Sequence, residues 1–136
     1  MLEFNTEKGI VYIGNNSTLL YKSQNELFDT QKQFNKLQFD SNILFLAYKS
    51  GNIAIFLENN SLLILKETTM LQYHSEKYTE PINYMQFSTN GYFLCLNLKN
   101  THSFVLNVLE KKQQNLPLSH FVCFSLKDTL ICAQTD

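Results

Sequence analysis

Ser119, His120 and Cys123 place a hydroxyl, an imidazole and a thiol within one short stretch, "SHFVC". A hydroxyl or thiol beside an imidazole could form a nucleophile and its base. Acyl transfer would also need an acid to orient that base and donors to hold an oxyanion, and neither stands at a recognisable spacing. No catalytic residue is therefore assigned. His74, His102 and His120 fall in different connectors or strand starts, each without a second ligand at metal spacing. Cys95, Cys123 and Cys132 are odd in number and match no zinc pattern, and each sits in an apolar run, so they read as buried thiols. The four glycines, at 9, 14, 51 and 91, each lie near a turn and build no phosphate cradle. The expectation is a non-enzyme with no cofactor and no metal.

Charge narrows the partners. The 136 residues carry a net charge of −1, with 17% charged residues, and all 11 basic residues are Lys. Without Arg, bidentate reading of phosphates or base edges is lost, which argues against specific nucleic-acid recognition. The pair Lys111–Lys112 beside Gln-Gln-Asn reads as a solvated loop. The opening "MLEFNTEKGI" has charges where a signal peptide would be apolar, and no apolar run reaches the length of a membrane span. The default location is the cytoplasm or the nucleus.

The elements that would position any site are strands. Apolar residues make up 44% of the chain and aromatics 13%, enough for a packed core. They come in short runs, such as "GIVYIG", "NILFLAY", "NIAIFLE", "SLLILKE", "YFLCLNL", "SFVLNV" and "TLICAQ", separated by Asn, Ser, Thr, Lys and Gly. The main helical candidate is "SQNELFDTQKQFNK", which reads equally well as a polar strand plus connector. The runs repeat. Phe87 and Phe124 stand 37 positions apart, as do Cys95 and Cys132. Phe39 precedes Phe87 by 48 positions, and Ala47 precedes Cys95 by 48. Phe4 opens a further copy, "LEFNTEKGIVYIGNNSTLLYKS". Each copy is a short strand ending in Phe, a polar turn, a second strand carrying a small residue, and further strands. Such meanders cannot bury both faces alone, and stacking them around an axis gives a β-propeller.

At this point the residues resemble the WD40-repeat family. The best match is "PINYMQFSTNGYFLCLNLKNTHSFVLNV" at 81–108, whose "FSTNG" looks like the family's Phe-Ser-x-Asp-Gly turn. Cys95 takes the family's small-residue position. Leu106–Asn107 stands where Trp-Asp usually closes the third strand, and the chain has no Trp. The resemblance implies an all-β, WD40-like β-propeller of about three and a half blades of four-stranded antiparallel meanders, an incomplete ring. The approximate blades are 1–35, 36–84, 85–116 and 117–136, the last stopping within a second strand. A phosphoinositide-binding propeller would carry paired Arg, which this chain lacks.

The expected function is a non-catalytic scaffold, the N-terminal portion of a repeat protein in a multiprotein assembly. Its partners would be other proteins, including the remainder of the propeller or another chain closing the ring. The connector 67–80, "ETTMLQYHSEKYTE", is expected to be the longest irregular stretch. Tyr73, His74 and Tyr78 in it are the candidate contact residues, because aromatics are enriched at interface hot spots. The alternative expectation is a small closed β-barrel binding a lipid or another apolar ligand.

Overall fold

A computed structural model describes residues 2–6, 9–13, 19–23, 26–29, 37–39, 41–66, 71–100, 102–116, 119–125, 127 and 129–134. The chain divides into two compact units, Met1–Lys77 and Tyr78–Asp136. All the regular structure described is antiparallel β.

The first unit holds two sheets. One runs in chain order through β1 (Leu2–Thr6), β2 (Gly9–Ile13), β3 (Leu19–Ser23), β4 (Glu26–Asp29) and β5 (Leu37–Gln38). The helical candidate thus contains a strand, β4, and its residues 30–36 lie outside the described residues. The other sheet is β6 (Ile43–Lys49), β7 (Asn52–Leu57), β8 (Ser61–Lys66) and β9 (Gln72–Lys77). β6 lies against β2 and β3.

β7 is buried along its whole length, on both faces. Only a continuous apolar run can satisfy that environment, and "IAIFL" supplies it. One face joins Leu46 and Tyr48 of β6 to Ile55 and Ile53 of β7 and Leu65 of β8, with Phe39 and Leu63 packed alongside. The opposite face sets Ala47 against Ala54, with Phe56, Leu62 and Ile64 fully enclosed. Burying each large aliphatic side chain contributes about 1.5–3 kcal/mol, so this sheet is held by apolar contact. Its first hairpin closes through Ser50 and Gly51, at φ of 50° and 81°. Two left-handed residues in a two-residue loop form the type I′ turn, whose twist matches that of the strands.

The second unit repeats the plan with β10 (Ile82–Phe87), β11 (Phe93–Leu98), β12 (Ser103–Asn107) and β13 (Lys112–Leu116), followed by the hairpin β14 (Ser119–Phe124) and β15 (Leu130–Gln134). β11 buries every residue after Phe93.

The sheets correct three expectations. A single closed barrel does not form, because the described strands fall into four separate sheets. The repeat alignment slips by one strand in the second copy. β5, beside Phe39, pairs with β4 of the preceding sheet, and Ala47 lies on the first strand of its own sheet. Ala54 on β7 therefore holds the place of Cys95 on β11. The cause is the two-residue turn at Ser50–Gly51. It replaces the longer "STNGY" connection, so the sheet lacks the Phe-Ser signature that the chain imitates at Phe39. Finally, Lys112 opens strand β13, so the basic step is the beginning of an outer strand.

Candidate functional site

The connector 67–80 contains β9, a correction to its expected irregularity. β9 is the outermost strand of its sheet, and most of its residues face water, so it needs no apolar run. Residues 67–70 lie outside the described residues. The register shifts between Ile64, opposite His74, and Leu65, opposite Gln72. Tyr73 is the extra residue of this bulge, a device that re-aims a side chain. Its hydroxyl donates to Asn52 Oδ1 at 2.8 Å, and Lys66 Nζ donates to the same oxygen at 3.3 Å. The Lys66 ammonium also lies 4.7 Å from the Tyr73 ring centroid, within cation–π range. Burial disfavours the phenolate, and the Tyr73 pKa is pushed up to about 12.

His74, next along β9, is half-buried, and its Nε2 is buried without a hydrogen-bond partner. Tyr78 belongs to the second unit and is buried. Its hydroxyl donates to Gln113 Oε1 at 2.7 Å. Its ring lies 5.3 Å from that of Phe104, which His102 meets edge-on at 4.7 Å. The three candidate contact residues are thus placed as an adjacent pair on β9 and a separate core tyrosine.

A polar cluster in the second unit was not singled out in the sequence. Asn97 Nδ2 donates to the Val122 carbonyl at 2.9 Å, and the Val122 N–H donates to Asn97 Oδ1 at 2.6 Å. The Ser103 hydroxyl donates to the same Oδ1 at 2.7 Å, and the Cys95 thiol reaches the Val122 carbonyl at 3.6 Å. Asn97, Ser103, Cys95 and Val122 are all fully buried. A side-chain amide here imitates one rung of a β-ladder between two sheets that are not otherwise paired. Gln86 adds a second tie, its Oε1 accepting from the Phe124 N–H at 2.8 Å. The available signal was Asn97 itself, a lone amide between Leu96 and Leu98 in an apolar strand.

The "FSTNG" turn is built by its own side chains. The Ser88 hydroxyl donates to Asn90 Oδ1 at 2.7 Å and accepts from the Phe93 N–H at 3.1 Å. Asn90 Oδ1 also accepts from the Tyr92 N–H at 2.9 Å. Gly91 sits at φ 76°, a left-handed conformation that favours glycine. Ser125, which follows Phe124 as Ser88 follows Phe87, plays the same part. Its Oγ accepts from the N–H groups of Lys127 at 3.3 Å and Thr129 at 3.1 Å. In the turn between β12 and β13, Asn107 Oδ1 accepts from the Glu110 N–H at 3.1 Å. The Val108 N–H donates to the Tyr92 carbonyl at 2.9 Å, tying this turn to the first.

Among the described residues no three His, Cys, Asp or Glu side chains gather in a way that could hold a metal ion. Cys123 is half-buried, and the side chains of Ser119 and His120 lie outside the described residues. No described helix is long and apolar enough to cross a membrane.

No family model matches the sequence, and no curated protein does. Solved structures do. The β-propeller domain of Myceliophteria thermophila Cps50 (Swd1) superposes with a TM-score of 0.74 at 11% identity, over 99% of this chain and 51% of that one. HIRA (644–1017) gives a TM-score of 0.71 at 9% identity, over 100% of this chain and 51% of that one. The dihydro-heme d1 dehydrogenase NirN, in complex with DHE, gives 0.60 at 13% identity, over 81% of this chain and 28% of that one. The chain thus spans about half the length of the first two. At such identities the likeness is one of fold, and with the meanders described above it establishes the architecture: the chain folds as blades of a β-propeller.

Proposed function

We propose that this chain is a non-catalytic protein-interaction scaffold that serves in a multiprotein assembly, in the cytoplasm or nucleus. The observation that carries the proposal is the set of turns cross-braced by Ser88, Asn90, Asn107 and Ser125. Turns fixed in this way present side chains at little entropic cost on binding, which is what a docking platform requires. The blades are proposed to follow the four sheets, the last of them the hairpin β14–β15. Because the two matched propeller chains are about twice as long, the proposal extends to further blades supplied by a longer chain or by a partner. Tyr73 and His74, half-buried on β9, stay within it as contact candidates, while Tyr78 would act through packing.

The test is purification of the endogenous protein under mild conditions, followed by cross-linking and mass spectrometry. The expected result is at least one protein partner in fixed stoichiometry. Recovery of the protein alone across a range of salt concentrations would overturn the proposal.

A further inference from the structure

The second unit gathers its exposed apolar surface at one end. Gln86 of β10 holds Phe124 of β14, and Asn97, beside Tyr84, holds Val122. β14 therefore runs alongside β10 in the same direction, and the turns after both strands emerge together. The β12–β13 turn emerges there as well, since Asn107 pairs with Phe93 at the start of β11. Four large apolar side chains are exposed among the described residues, and three of them lie at this end: Tyr92 at 50%, Phe93 at 36% and Leu109 at 59%. The Val108 N–H bond to the Tyr92 carbonyl brings Tyr92 and Leu109 onto neighbouring turns.

The charge at this end has a sign. Lys111 and Lys127 are exposed in the turns at this end, and Lys112 is exposed at the start of β13 beside Phe93, against one exposed acid, Glu110. Among the described residues the cations at this end are in excess, on a chain whose net charge is −1. Apolar anchors rimmed by cations complement a segment that alternates carboxylates with apolar residues.

We infer that Tyr92, Phe93 and Leu109, framed by Lys112 and Lys127, form a docking surface for an acidic segment of a partner protein that carries apolar anchors. The inference deepens the scaffold reading and rests on it. It assigns the partner's chemistry and the end of the blade that meets it. The hydrogen-bonded turns hold the anchors in place before binding.

The test uses the full chain and a fluorescent peptide that alternates Asp and Glu with Phe and Leu. A second peptide carries Lys at every acidic position. The acidic peptide is expected to bind with an affinity that falls as salt rises, and the Lys peptide to bind about tenfold more weakly or worse. The double variants Tyr92→Ser/Leu109→Ser and Lys112→Glu/Lys127→Glu should each weaken binding about tenfold with an unchanged thermal transition, since all four side chains are exposed. Equal binding of the two peptides, absence of binding, or indifference to both double variants would overturn the inference. Cross-links from a native partner that map only elsewhere would overturn it too and leave the scaffold reading standing. Absence of any native protein partner would remove both.

Discussion

The sheets β6–β9 and β10–β13 follow one plan and are held by different means. In the first, the strongest feature is apolar: β7 is enclosed on both faces, and two alanines meet where the first two strands cross-pair. In the second, the corresponding strand carries a buried amide, and Asn97 ties β11 to the neighbouring β14. The first hairpins differ likewise. One closes through two left-handed residues, the other through a five-residue turn whose side chains bond to its own backbone. A blade is therefore a geometric requirement that either apolar packing or satisfied polar groups can meet. The two solutions fail differently: loss of an apolar contact leaves a void, whereas loss of a buried amide leaves donors and acceptors without water or partner.

The largest effect expected from that contrast is at Asn97. Asn97→Leu keeps the branching of the side chain but strands the Val122 N–H and the Ser103 hydroxyl and leaves the Val122 carbonyl only the Cys95 thiol; a group buried unpaired costs about 1–3 kcal/mol. A loss of roughly 3 kcal/mol is expected in urea unfolding, enough to threaten folding of so small a unit. If the variant loses less than about 1 kcal/mol, the polar clamp contributes no more than the apolar contacts around it, and the contrast between the sheets collapses.

The two hairpins give the next comparison. Gly51 and Gly91 both lie in the left-handed region, at 81° and 76°. A Cβ on Gly51 would meet nothing within 4 Å, so Gly51→Ala isolates backbone strain. Its expected cost is about 1–2 kcal/mol. Gly91→Ala adds a methyl at a buried position in the turn that carries Tyr92, and should cost at least as much. Thermal unfolding of both variants orders them. A larger loss at Gly51 would mean that the tight hairpin, and not the side-chain-braced turn, is the more constrained of the two.

The inner strands were legible because a strand buried on both faces is written largely in apolar residues: "IAIFL" is a continuous apolar run, and "LCLNL" is broken only by Asn97. The turn at Ser88–Gly91 was legible because left-handed backbone needs glycine and the loop bonds need Ser and Asn. The outer strands β9 and β13 were not. Gln72–Lys77 and Lys112–Leu116 face solvent, and their pairing depends on backbone groups that leave no mark on residue type. The repeat phase slipped for a related reason: Phe39–Asp40–Ser41 resembles the anchor–turn pattern, while the real first turn of that sheet, Ser50–Gly51, is too short to carry it. The exposed end at Tyr92, Phe93 and Leu109 was hidden because an aromatic at the start of an apolar run reads as core. Asn97 and the bulged Tyr73 were visible as residues but silent as to partner, since their partners lie 25 and 21 positions away.

Tyr73 gives the smallest effect and the finest comparison, because its knot is the first unit's polar counterpart to Asn97 and is only half-buried. Tyr73→Phe removes one hydrogen bond to Asn52 but leaves that oxygen the Lys66 ammonium as a donor. The expected loss is about 1 kcal/mol, well below that at Asn97. The ionisation of Tyr73 tests the same burial independently. The folded pKa of about 12 lies above the ordinary tyrosine value of 10.0. Below the unfolded value both states hold the proton, and the contribution is complete. As pH rises between the two values the unfolded chain ionises first, so stability falls over that window and levels off above it. Ultraviolet absorbance of phenolate should show a late-titrating step in the native protein, and Tyr73→Phe should lower its amplitude by one tyrosine. If the late amplitude is unchanged in the variant, Tyr73 does not contribute to it, and the knot at Asn52 is open to water.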